Sequence, residues 1–73
     1  MRLSTRNQLP AKVAEVDTGE VMAVVKVTLD GGQPVIASIT RDAAEDLNLQ
    51  PGTPVTVLIK STEIMLAVED PQR

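Results

Sequence analysis

Glycine and proline punctuate this chain at Gly19, at Asp30-Gly31-Gly32 and at Pro51-Gly52, and the runs between them are short and rich in Val, Ile and Thr. Turn residues at that spacing, with β-branched runs between, specify strands. Strands are expected over residues 8–16, 20–29, 33–39, 54–60 and 63–68. One stretch breaks the pattern: Thr40-Arg41-Asp42-Ala43-Ala44-Glu45-Asp46-Leu47 is built of helix formers, with Thr40 as N-cap and Asp42 in the first turn. A short helix is expected there, with Pro51-Gly52 ending it and Leu47 and Leu49 placed to plug the end of a barrel.

The fold class is therefore all-β: a small five-stranded OB-like barrel with one short helix between strands 3 and 4, forming a single domain over residues 3–69. Only the ends, 1–3 and 69–73, read as loose. Side chains alternate across a strand, so Val21, Ala23, Val25, Val27 and Leu29 make one face, the core. The opposite face carries Met22 and Val24 beside Lys26 and Thr28. In the last strand Met65 and Ala67 oppose Ile64, Leu66 and Val68. Apolar side chains on both faces give either a contact surface or scattered exposed residues.

At 73 residues the core is thin, since a domain of this size buries about 60% of the surface its unfolded chain exposes. Small scaffolds add disulfides, a structural metal or oligomerisation. The chain has no Cys and no His, which leaves association as the remaining staple. The same absences remove Cys nucleophiles, Ser-His pairs and imidazole bases, and they count against an enzyme. Ten acidic residues against seven basic ones, and no Phe, Tyr or Trp, fit nucleic acid badly: there is neither a basic stripe nor an aromatic platform. No run approaches the roughly 18 apolar residues of a membrane span, and the first nine residues lack a signal-peptide core. A cytoplasmic location is expected, with no membrane partner.

Two polar segments flank the barrel: Ser4-Thr5-Arg6-Asn7 ahead of the first strand and Lys60-Ser61-Thr62-Glu63 after the fourth. A tetrahedral dianion offers acceptors and no donors, so it needs converging N–H and O–H groups and positive charge to offset desolvation. Ser4, Thr5, Ser61 and Thr62 offer hydroxyls, Asn7 an amide, and Arg6 and Lys60 charge. The same composition also serves as ordinary solvated turn chemistry, and residues alone leave both readings open.

In order and spacing these segments resemble the Mop domains, molybdate-binding domains whose single-domain members are called molbindins. Their relatives are appended to molybdate transport ATPases and molybdate-responsive regulators. The resemblance runs through Leu3-Ser4-Thr5-Arg6-Asn7-Gln8-Leu9, Gly19 with Val21-Met22-Ala23, Ala37-Ser38-Ile39-Thr40, Leu49-Gln50-Pro51-Gly52, and Val57 to Leu66. It covers nearly the whole chain. It implies an OB-like barrel that assembles into a homohexamer and binds molybdate or tungstate between subunits, unchanged, with no cofactor and no direct protein ligand to the metal. Carried over, Ser4, Thr5, Arg6 and Asn7 form one wall of the site and Lys60, Ser61 and Thr62 another. Ser38, Ile39 and Thr40 match a further segment of family sites, although Thr40 also has a sufficient role as helix cap. Thr5 and Ser61 stand where Ala is common in the family, so pocket size or an extra hydroxyl contact differs here.

The carboxylates lie mostly in turns or on the helix and read as solvated surface; a magnesium or calcium site from Asp42, Glu45 and Asp46 would want more oxygens than these provide. The function expected is intracellular storage and buffering of molybdate or tungstate. The alternative is an anion-sensing module that passes its ligand state to a partner protein.

Overall fold

A computed structural model describes residues 2–70 of the chain; of the ends read as loose, Met1 and residues 71–73 lie outside the described residues. Four strands form one antiparallel sheet: β1 (Asn7–Thr18), β2 (Met22–Leu29), β3 (Pro34–Thr40) and β4 (Pro54–Ile59), in the order β3-β2-β1-β4. The helix α1 (Arg41–Asp46) lies between β3 and β4, as the sequence specifies.

β1 is long enough to serve two partners. Its first half, from Asn7 to Lys12, pairs with β4, and its second, from Ala11 to Thr18, with β2. The register with β2 shifts between Val13 and Glu15, and the extra residue of that bulge bends the strand and curls the sheet. It also resets the alternation, so Ala11, Val13 and Val16 all face inward. There they meet Val25, Val27, Leu29, Val35, Ile39, Val55 and Val57, with Ala11, Val13, Val25 and Val27 fully buried. The β2–β3 turn closes through the Gly32 amide, which donates to the Leu29 carbonyl at 2.7 Å. Gly32 has φ +95°, a conformation open to glycine at little cost.

Thr40 caps α1: its Oγ1 accepts from the Ala43 amide at 3.1 Å. Ala44 is the buried residue of the helix. The helix ends at Asp46, well before Pro51-Gly52, because Asn48 turns left-handed at φ 52° and its amide donates to the Glu45 carbonyl. Leu49 packs on the core as expected, but Leu47 is exposed and does not plug the barrel. Val21 was expected in the core. It precedes β2 and is 71% exposed: its carbonyl accepts from the Arg41 amide, the last bond in register between β2 and β3, and its side chain lies beyond the end of the sheet's buried face.

The larger correction is the fifth strand. After β4 the chain makes a 3-10 turn, η1 (Ser61–Glu63), and residues 64–70 pair with no strand of their own chain. Lys60-Ser61-Thr62-Glu63 contains no Gly or Asn to supply the positive φ of a two-residue hairpin, and backbone resumes extended at Ile64 (φ −92°, ψ 131°). Ile64, Leu66 and Val68, which the alternation puts on the face opposite Met65 and Ala67, are exposed along with Met65; Leu66 and Val68 are 94% and 90% exposed.

The barrel consequently stays open. Between the outer strands β3 and β4 runs an apolar groove of about 210 Å³, lined by Val25, Ala37, Ile39, Leu49, Val55 and Val57 among others. The radius of gyration is 14.6 Å, against about 11 Å for a compact domain of this length. The accessible surface is 6187 Å², roughly 1,800 Å² more than a folded monomer of this mass exposes.

Candidate functional site

The pairing of β1 with β4 sets Asn7 opposite Ile59. It thereby brings together the two polar segments that lie far apart in sequence: Ser4-Thr5-Arg6 leads into Asn7, and Lys60-Ser61-Thr62 leaves Ile59, 52 residues on. Asn7 Nδ2 reinforces the junction by donating to the Ile59 carbonyl at 3.1 Å. Gln8, which the sequence reading passed over, donates from Nε2 to the Thr5 carbonyl at 2.7 Å and holds the Ser4–Arg6 bend against the strand. No composition signal sets this glutamine apart from other polar strand residues.

On the other segment, Lys60 is the N-cap of η1, and its carbonyl accepts from the Glu63 amide at 2.9 Å. Thr5 and Asn7 are half-buried, while Ser4, Arg6, Lys60, Ser61 and Thr62 are exposed. The two cations are uncommitted. Among the described residues the ion pairs are Lys26 with Glu15 at 3.9 Å and Arg41 with Glu45 at 3.1 Å, and neither Arg6 nor Lys60 takes part. The hydroxyls of Ser4, Thr5, Ser61 and Thr62 likewise make no hydrogen bond within the described chain. Two charges and four hydroxyls free of internal partners suit a ligand that is anionic and rich in acceptors.

Ser38, Ile39 and Thr40 are elsewhere. Thr18 pairs with Ala23, and Ala23 with Ile39, so this segment lies at the opposite end of β1 from Asn7, about 35 Å of strand away at roughly 3.3 Å per residue. Ile39 packs on the core, Ser38 faces outward, and the Thr40 hydroxyl accepts from the helix. Within one chain, then, seven of the ten expected residues gather at one end of the sheet and three sit at the other. Of the helix carboxylates, Glu45 is paired with Arg41, and no group of three His, Cys, Asp or Glu among the described residues converges to hold a metal ion. No helix among them is long and apolar enough to cross a membrane.

The TOBE domain family matches residues 3–66. The chain belongs to that family. This TOBE domain is 44% identical over 66 residues to molybdenum-pterin-binding protein 3 of Clostridium pasteurianum, covering 90% of this chain and 97% of that one. It is 36% identical to a probable molybdenum-pterin-binding protein of Haemophilus influenzae, covering 94% of this chain and all of that one. Among solved structures it is similar to a molybdate-binding protein from Sporomusa ovata, with a TM-score of 0.88, 41% identity, and coverage of 93% and 100% of the two chains. The resemblance to molybdate-binding Mop domains drawn from the opening Ser-Thr-Arg-Asn and the closing Lys-Ser-Thr is therefore borne out, and with it the OB-like character of the curled sheet, now with four strands in the single chain.

Proposed function

We propose that this chain binds molybdate or tungstate as an intact oxyanion at junctions between copies of itself, and that it serves intracellular storage and buffering of the anion without chemical change. The observation that carries the reading is the junction of Ser4–Asn7 with Lys60–Thr62, where two cations and four hydroxyls without partners among the described residues lie on adjacent segments. Its similarity to a molybdate-binding protein over nearly the full length of both chains supports the choice of anion. The relatives' names also mention a pterin. The exposed junction offers charge and hydroxyl donors, and the chain has no aromatic side chain on which a pterin ring could stack, so the inorganic anion is the ligand proposed.

The placement between copies rests on what one chain leaves unfinished. An apolar extended segment beyond η1 has no strand partner, an apolar groove stands open between β3 and β4, and the surface excess is of the size that stable interfaces bury. A second copy supplies both needs at once, its C-terminal segment seating in this groove and this chain's segment in the other's. Repetition of such contacts in a closed homo-oligomer, a hexamer in our reading, sets the exposed polar cluster of one chain against its neighbours. The Ser38–Thr40 segment, remote within its own chain, joins the site in this reading from another copy. Cytoplasmic location goes with the same role.

Equilibrium dialysis of the purified protein against molybdate and tungstate, with elemental analysis of bound molybdenum and tungsten, tests the proposal. Retention of either metal in defined proportion to protein is expected, and no retention above the buffer overturns it. A pull-down with and without molybdate separates buffering from sensing, since an anion-dependent partner would favour the sensing alternative.

A further inference from the structure

Building on the oxyanion reading above, we propose that Asn7 and Gln8 are positioning residues of the site: by holding the carbonyls of Ile59 and Thr5 they aim the backbone N–H groups of Lys60 and Arg6. Every peptide bond in the described chain is trans, and in a planar trans peptide the C=O and the following N–H point in opposite directions. The Ile59 carbonyl, held by Asn7 Nδ2 at 3.1 Å, faces β1, so the Lys60 N–H points away from β1, off the free edge of β4. The Thr5 carbonyl, held by Gln8 Nε2 at 2.7 Å, faces Gln8 at the start of β1, so the Arg6 N–H points away from that side chain. Neither N–H donates to any turn, loop or cap carbonyl among the described residues.

The chemistry of the ligand gives the arrangement its purpose. An oxyanion is attracted by N–H groups and repelled by carbonyl oxygens. The Thr5–Arg6 peptide lies outside the strand and is set by the Gln8 bond, whereas Ile59 ends β4 in register with Asn7, so Asn7 Nδ2 adds a side-chain hold to the backbone pairing there. A fixed carbonyl removes the repulsive orientation and leaves each cation-bearing residue with a second donor, its own amide, already set. The Asn7 bond spans 52 residues and is partly buried, whereas the Gln8 bond is local and exposed. Asn7 is therefore the stronger clamp.

Isotope-labelled protein titrated with sodium molybdate tests the assignment by magnetic resonance. In the parent, the backbone N–H signals of Arg6 and Lys60 should move and gain protection from exchange, while the side-chain NH2 signals of Asn7 and Gln8 hold still. Side-chain signals that move as far as the backbone ones would make these residues direct ligands and overturn the proposal. Asn7→Ala should weaken molybdate binding about tenfold and Gln8→Ala about threefold. The losses should be separable: Asn7→Ala blunts the response of the Lys60 amide and spares that of Arg6, and Gln8→Ala does the converse. Parental affinity in both variants, or equal loss of both amide responses in each, would also overturn it. A parent that shows no response to molybdate anywhere removes the oxyanion reading itself, and this assignment with it.

Discussion

Leu66→Ala should dissociate the assembly without unfolding the barrel. Leu66 is 94% exposed in the single chain, so nearly all of its side-chain area is available for burial against a partner. Fully burying a leucine stabilises by about 2 kcal/mol. In a reciprocal interface each contact occurs twice, so the loss is about 4 kcal/mol per pair of chains, and every 1.4 kcal/mol is tenfold. The pairwise dissociation constant should rise by about a thousandfold. Sedimentation velocity over a dilution series reads this directly: the parent stays assembled at micromolar protein while the variant falls to smaller species. Far-ultraviolet circular dichroism of the variant at high concentration should match the parent, since Leu66 lies outside the four strands and is almost fully exposed in the single chain. A variant that dilutes like the parent, or a parent that sediments as a stable folded species near 7.8 kDa, would refute the reasoning.

Arg6→Ala and Lys60→Ala should each weaken molybdate binding by about ten- to a hundredfold, because a charge-assisted hydrogen bond to a desolvated dianion contributes about 1.5–3 kcal/mol; calorimetric titration checks both, and parental affinity in the pair would move the site elsewhere. Thr40→Ala should lower stability by about 1 kcal/mol through loss of the cap, a drop of roughly 4–8 °C in Tm, with Thr40→Ser restoring it; an unchanged Tm would mean that the bond to the Ala43 amide contributes nothing. Tungstate should compete well for the molybdate site and sulfate poorly, since pocket size rather than charge separates these dianions, and equal competition by sulfate would argue for an unshaped basic surface.

How much of this could be seen in the sequence depends on how local each signal is. Strands β1 to β4 and the helix follow from turn residues and side-chain alternation, and Thr40 announces its cap three residues ahead of the amide it accepts. The bulge at Val13 to Glu15 leaves no such mark, because a register shift arises between strands. Ile64 to Val68 reads as a strand for a sound reason: its pattern suits a sheet edge. Sequence cannot say whose edge, and a turn without Gly or Asn directs the segment away from its own chain. The site divides in the same way. Ser4, Arg6, Asn7 and Lys60 are legible as donors, but their meeting depends on the Asn7 to Ile59 pairing, and the bond from Gln8 to Thr5 appears only once the strand has formed.

The central claim is that the anion is held between chains, and it is tested most directly by titrating molybdate into assembled parent and into a dissociated, folded variant such as Leu66→Asp under the same conditions. The account predicts saturable binding by the assembled protein, accompanied by greater resistance to dissociation on dilution, and no measurable binding by the separated chains. Equal affinity in the two would contradict it.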